Sequence, residues 1–220
     1  MACLARFLWK SPSDMLTKER EFYNDEVNFI VGVDEAGRGP LAGPVCAAAV
    51  VFPKDFECEL INDSKQLTEK KRESLYRFVE EHALGFGIAM VSAEEIDKLN
   101  IYEATKVAMK HAISEIKHPY DLILTDAMPL KGLPAPVIPI IKGDAKCLNI
   151  AAASILAKVT RDRYMVQLEQ TYPMFSFSKH KGYGTKAHMD ELFEHGPIEG
   201  VHRKSFAPFA NWKQKQLKLF

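Results

Sequence analysis

The apolar positions of this chain fall into short runs separated by amphipathic stretches. Phe29-Ile-Val-Gly-Val33 is a continuous apolar run that stops at Asp34-Glu35. That is the pattern of a buried strand with acids at its tip. Gly37-Arg-Gly-Pro40 and Gly43-Pro44 punctuate a turn, and Val45 to Phe52 reads as a second apolar strand, antiparallel to the first. Thr68 to Ala83 predicts a helix capped by Thr68, with Leu75, Phe78, Val79 and His82 on one face. Leu84 to Val91 predicts a third strand. A helical stretch opens at Ala93, breaks near Asn100 and resumes from Tyr102 to Lys117. Leu122-Ile-Leu124 then runs into Thr125-Asp126. After a loop from Pro129 to Pro136, the β-branched segment Val137 to Ile141 ends in Lys142-Gly143-Asp144. A long helix is predicted from about Ala145 to Tyr172, with small residues at 151–154 where it could press on a sheet. An aromatic and basic loop covers Pro173 to Thr185, and a last helix about Lys186 to Glu194.

Strands that alternate with helices after an antiparallel meander predict an α/β fold: a five-stranded mixed sheet flanked by helices, with a helical C-terminal extension. At 220 residues the chain suits one domain with appendages. The reading divides it into an N-terminal arm (1–28, a loose segment with a short helix), a domain (29–209) and a C-terminal tail (210–220). The 47% hydrophobic and 26% charged content excludes a disordered chain. No run approaches the ~18 apolar residues that span a bilayer. Cys3, Cys46, Cys58 and Cys147 are scattered without a C-x-x-C pair, which suits reduced thiols in a cytoplasmic protein.

The formal net charge of zero hides a polarised chain. Residues 142–220 carry 13 Lys and Arg against 7 Asp and Glu, whereas residues 1–141 carry 16 against 22. A basic C-terminal third beside an acidic remainder is compatible with a polyanion groove next to a metal site.

Three predicted strands end in acids, at Asp34-Glu35, Asp126 and Asp144. Strand ends at one edge of an α/β sheet converge on the crevice where ligands bind. Carboxylates gathered there would repel one another, and a hard divalent cation relieves that repulsion. Oxygen-only ligation favours Mg²⁺ or Mn²⁺, and two such ions about 4 Å apart recur in phosphodiester hydrolysis. An acid after a strand also serves as a turn or cap residue, and Asp144 is placed to N-cap the long helix.

The segment Gly32-Val-Asp-Glu-Ala-Gly-Arg-Gly-Pro-Leu-Ala-Gly-Pro44 closely resembles the first signature of the ribonuclease HII family. Further matches follow in order: Asp63-Ser-Lys65, Asp126, Lys142-Gly-Asp144, 152–162 (AASILAKVTRD), Lys181-Gly-Tyr-Gly-Thr185 and His202-Arg-Lys-Ser-Phe206. The resemblance covers about residues 29–209. It implies a ribonuclease H-like fold and divalent-metal hydrolysis of RNA within RNA–DNA hybrids and at single ribonucleotides in duplex DNA, leaving a 5′-phosphate and a 3′-hydroxyl. On this resemblance, Asp34, Glu35, Asp126 and Asp144 are the catalytic, metal-holding carboxylates, with Asp34 bridging two ions and Asp144 peripheral.

Gly37-Arg38-Gly39 resembles the family's substrate-reading turn, in which glycine lets the backbone approach a sugar and test its 2′-hydroxyl. Tyr183 matches a tyrosine that packs on the deoxyribose after the ribonucleotide. Lys65, Lys142, Lys181 and Arg203 are candidate phosphate contacts, which position a duplex without reading its sequence. Lys158 and Arg161 on the long helix suit structural ion pairs equally well. The short segment before the first strand, and Arg38 within the glycine turn, favour type HII over the related HIII group. A catalytically inactive nucleic-acid-binding module is the alternative, disfavoured by the presence of all four carboxylates. Finally, Gln216-Leu-Lys-Leu-Phe220 resembles the peptide that docks bacterial replication and repair proteins on the sliding clamp, with Gln216, Leu217, Leu219 and Phe220 as its contacts. A fold-back of this tail beside Trp212 is the competing reading, and a monomer is expected.

Overall fold

The computed structural model describes residues 17–58, 60–61 and 68–209. Its core is a five-stranded sheet of β1 (Ile30–Ala36), β2 (Val45–Val51), β3 (Gly85–Val91), β4 (Leu122–Asp126) and β5 (Val137–Ile140), in the order β3-β2-β1-β4-β5. The first three strands form an antiparallel meander, and β4 and β5 add in parallel beside β1. The helices are α1 (Glu69–His82), α2 (Ala93–Leu99), α3 (Ile101–Ser114), α4 (Leu148–Thr171), α5 (Phe177–His180) and α6 (Lys186–His195).

Every side chain of β2 is buried because helices cover both sheet faces. Val45, Ala47, Ala49 and Val51 point into one cluster with Ala108, Met109 and Ala112 of α3. Cys46, Ala48 and Val50 point the other way, into a cluster with α1 and Ala151 to Ala153 of α4. Helix α4 lies so close to β1 that a Cβ on Gly32 would stand 2.2 Å from the carbonyl carbon of Asn149. The predicted break at Asn100 is a shared cap. This residue takes φ 70° to end α2, and its side-chain oxygen accepts from the amides of Tyr102 and Glu103 to open α3.

Three boundaries differ from the sequence reading. The long helix starts at Leu148 rather than near Ala145. Lys142 takes a left-handed φ of 56°, Gly143–Ala145 form a 3₁₀ turn, and extended Cys147 is the N-cap. Asp144 therefore is not the cap. The cap function falls to Glu19, whose carboxylate accepts from the Asn149 amide at 3.2 Å. Second, residues 17–28 are not loose: a 3₁₀ helix (Lys18–Phe22) docks there, Lys18 N–H donates to the Lys146 carbonyl, and Phe22, Tyr23 and Val27 pack on Ile30, Leu122 and Ile150. Third, the loop from Pro173 contains α5, stapled to the core by Phe175 and Phe177. No helix among the described residues is long and apolar enough to cross a membrane, and Cys46 and Cys147 are buried.

Candidate active site

The parallel pairing of β1, β4 and β5 sets their carboxyl ends at one edge. Val33 pairs with Thr125, so Asp34 and Asp126 follow as the next residues on adjacent strands. Asp126 pairs in turn with Ile140 of β5, and the chain leaving β5 folds back through the 3₁₀ turn that carries Asp144. Carboxylate oxygens of Asp34, Asp126 and Asp144 all lie within 4.8 Å of one another. The amide of Gly143 donates to Asp126 Oδ1 at 2.8 Å, and the Glu35 amide donates to Asp34 Oδ1 at 2.7 Å. Ser154 of α4 also hydrogen-bonds the Asp34 side chain.

Glu35 stands beside this triad rather than within it. Its Oε1 accepts from Arg38 at 3.4 Å, while Oε2 is buried and has no hydrogen-bond partner. Burial, then the charges of Glu35 and Asp126, push the Asp34 carboxyl well above its ordinary range. Burial also raises Glu35, against the opposing pull of Arg38. A hard cation would neutralise this repulsion and fill the open coordination of Glu35 Oε2. The donor set is all oxygen, so the residues present fit a divalent ion of the Mg²⁺ or Mn²⁺ kind.

The glycine turn lies beside the carboxylates. Gly37 has φ +96°, and a Cβ there would sit 2.0 Å from Arg161 Nε, so only glycine fits. Arg38 and Gly39 are exposed at the turn's tip, and the Tyr183 ring stands over Gly39, 3.6 Å from where a Cβ would be. The groove between them is also lined by Arg72, Ser154 and Lys158. Lys142 is exposed next to Asp144, and half-buried Lys181 adjoins the Tyr183 loop. Lys65 and the tail residues Gln216, Leu217, Leu219 and Phe220 lie outside the described residues.

Arg203 is the clear departure. Predicted as a phosphate contact, it is wholly buried. Its guanidinium donates to the carbonyls of Gly43 (3.0 Å), Arg38 (3.0 Å) and Gly37 (2.7 Å), so no face is left for a phosphate. Burial and the neighbouring Arg161 push its pKa down to about 9, which still leaves it charged at neutral pH. Arg161 does the companion work, donating to Pro44, Ala42 and Lys181 carbonyls at 2.9–3.0 Å. Two buried arginines thus hold the turn and tie it to the loop before Tyr183. Lys158 pairs with Asp162 at 2.6 Å, as its i,i+4 spacing allows.

The family model for ribonuclease HII matches residues 31–209, which spans the sheet, all four carboxylates and both arginines. The chain belongs to the ribonuclease HII family. The ribonuclease HII of Acholeplasma laidlawii is 51% identical over 197 residues, covering 90% of this chain and 96% of that protein. Among solved structures, ribonuclease H2 from Pyrococcus horikoshii OT3 superposes with a TM-score of 0.74 at 26% identity, covering 86% of this chain and 99% of that one. The ribonuclease HII of Archaeoglobus fulgidus, solved as a complex with PCNA, gives 0.66 at 25% identity, over 81% of this chain and 95% of that one. Membership in the ribonuclease HII family favours an endonuclease over an inactive binding module.

Proposed function

We propose that this ribonuclease HII cuts the RNA strand of RNA–DNA hybrids and nicks duplex DNA on the 5′ side of a single ribonucleotide. The observation that carries the reading is the convergence of Asp34, Asp126 and Asp144 within 4.8 Å, with the unpartnered Oε2 of Glu35 beside them. These four carboxylates would hold two divalent ions, Mn²⁺ or Mg²⁺. Such ions supply charge neutralisation at the phosphate and lower the pKa of water. Asp34, buried and repelled by Glu35 and Asp126, would take the central position. Ser154 and the Glu35 and Gly143 amides fix the carboxylates, so the site is oriented before substrate arrives.

The reaction is hydrolysis. A water oxygen bonds to phosphorus, the P–O3′ bond breaks, and the products are a 3′-hydroxyl and a 5′-phosphate on the ribonucleotide. The exposed backbone at Arg38 and Gly39 would probe the 2′-hydroxyl, and the Tyr183 ring would stack on the following deoxyribose. Lys142, Lys181 and Lys65 would contact phosphates, joined by Arg72 and Lys158 across the groove. The chain would act as a cytoplasmic monomer. Its tail, through Gln216, Leu217, Leu219 and Phe220, would dock on a sliding clamp, a reading supported by the PCNA complex of the Archaeoglobus relative.

The test is a duplex DNA with one embedded ribonucleotide, incubated with the protein and Mn²⁺ or Mg²⁺, with the nick mapped. A cut on the 5′ side leaving a 3′-hydroxyl supports the proposal. Cutting only of long hybrids, or a cut 3′ to the ribonucleotide, rejects it.

A further inference from the structure

Three buried histidines lie behind the Tyr183 loop, and the reaction uses none of them. His188 and His202 are almost fully buried, and His180 stacks on His188 with ring centroids 4.2 Å apart. The Ile198 amide approaches His202 Nδ1 at 2.8 Å. His202 Nε2 faces His188 Nε2 at 3.1 Å, and His188 Nδ1 reaches the Tyr183 carbonyl at 2.9 Å.

The backbone fixes the direction of this chain at both ends. An amide N–H only donates, so His202 Nδ1 accepts and its proton sits on Nε2. A carbonyl only accepts, so His188 Nδ1 donates and its Nε2 is bare. The two facing Nε2 atoms then share one proton, as a hydrogen bond requires, and both rings are neutral. His180 stands outside the chain: its Nδ1 accepts from the Gly182 amide and its Nε2 faces Glu191 at 2.9 Å. Burial supports neutrality by pushing His188 and His202 down to about 4.

We infer that the directed chain Ile198 N–H → His202 → His188 → Tyr183 C=O is a positioning device that sets the height of the Tyr183 ring over Gly39, and so the enzyme's preference for an RNA-to-DNA junction. His188 and His202 are positioning residues in this account, acting through Tyr183. The same loop is fixed from its other side, where the Leu41 amide donates to the Gly182 carbonyl at 2.7 Å and Arg161 to the Lys181 carbonyl. The inference rests on Tyr183 being the deoxyribose platform.

Two substitutions separate the ends of the chain at similar cost to folding. In His188→Asn the amide nitrogen stands where Nδ1 stood, keeping the bond to Tyr183 and losing that to His202. His188→Gln keeps the His202 side and loses the Tyr183 side. Each variant, and Tyr183→Ala, is assayed on a single-ribonucleotide duplex and on a long RNA–DNA hybrid, with folding checked by melting. The junction-to-hybrid rate ratio should fall roughly fivefold in His188→Gln, the equivalent of one hydrogen bond, and stay near wild type in His188→Asn. Adding His188→Gln to Tyr183→Ala should change the ratio no further. Equal ratios in the two His188 variants, or a further loss on top of Tyr183→Ala, would overturn the inference. If Tyr183→Ala itself leaves the ratio unchanged, the platform reading fails and the device fails with it. The ring ¹⁵N shifts of the wild-type protein give a readout independent of activity: they should show His188 protonated at Nδ1 and His202 at Nε2. The opposite tautomers would also overturn it.

Discussion

The guanidinium of Arg203 holds the carbonyl of Gly37 at 2.7 Å across 166 positions of sequence. One side chain from the C-terminal extension thereby sets the backbone of the glycine turn, with the Arg38 and Gly43 carbonyls held by the same group. The extension and the sheet edge are one site for this reason.

Arg203→Ala should therefore cost stability and activity together. The buried carbonyls of Gly37 and Gly43 and the part-buried carbonyl of Arg38 lose their donor, and unsatisfied buried groups cost about 1–3 kcal/mol each before relaxation. A loss of about 3 kcal/mol or more by chemical denaturation is expected. Arg203→Lys should recover little, because an ammonium does not match three carbonyls arrayed around a planar fork. Full stability with selective loss of duplex affinity would instead restore Arg203 as a phosphate contact.

Much of this site is legible in the sequence because strand ends and glycine turns leave local marks. Asp34 and Asp126 follow apolar runs, and a positive φ at Gly37 needs glycine. Burial of long polar side chains leaves no such mark. Arg203 in His202-Arg-Lys-Ser-Phe206 looks like any basic loop residue, and only the folded chain surrounds it with carbonyls. Glu19 and Asp144 exchange the role expected of Asp144 for the same reason. The acid nearest in sequence to the helix start is diverted by a 3₁₀ turn, and one 130 positions away supplies the cap.

Carboxylate repulsion makes a prediction about the metal-free protein. Asp34 has its pKa raised above the ordinary value near 3.8, so the folded state binds its proton more tightly than the unfolded state. Stability from this group is lost as pH rises through the folded value. Asp34→Asn should raise the melting temperature of the metal-free protein at pH 7–8, and Mn²⁺ should raise that of wild type but much less that of the variant. A metal-insensitive wild-type melting curve would contradict a folded-state cation site.

The neutral histidine pair works in the opposite direction. His188 and His202 are pushed from the ordinary 6.5 to about 4, so the unfolded state binds more protons in that window. Their contribution is complete above about pH 6.5 and is lost as pH falls through about 4. His180, itself held by Glu191, stacks on His188, and the Tyr183 carbonyl faces the pair. The acid loss should be smaller in His188→Asn than in wild type, measured by denaturation between pH 7 and 4. Parallel curves would place the pair's titration elsewhere.

Glu19, at the start of α4, offers a third pH probe. Burial lifts its carboxyl to about 7, against the amides at the start of α4 that favour the anion. Above pH 7 the buried charge opposes folding, and below about 4.5 the effect vanishes. Glu19→Gln should be more stable relative to wild type at pH 8 than at pH 5, by thermal melting at both. A constant difference would mean that the carboxyl titrates normally.

The most direct test of the account is the cleavage rate of Asp126→Asn on a single-ribonucleotide duplex, with duplex affinity measured on the same preparation. Asp126 lies in the carboxylate triad, where it accepts from the Gly143 amide. Loss of about 100-fold or more in rate, with affinity nearly unchanged, is predicted for removal of a central electrostatic group. Retention of more than about a tenth of the wild-type rate would contradict the assignment of the sheet-edge carboxylates as the catalytic site.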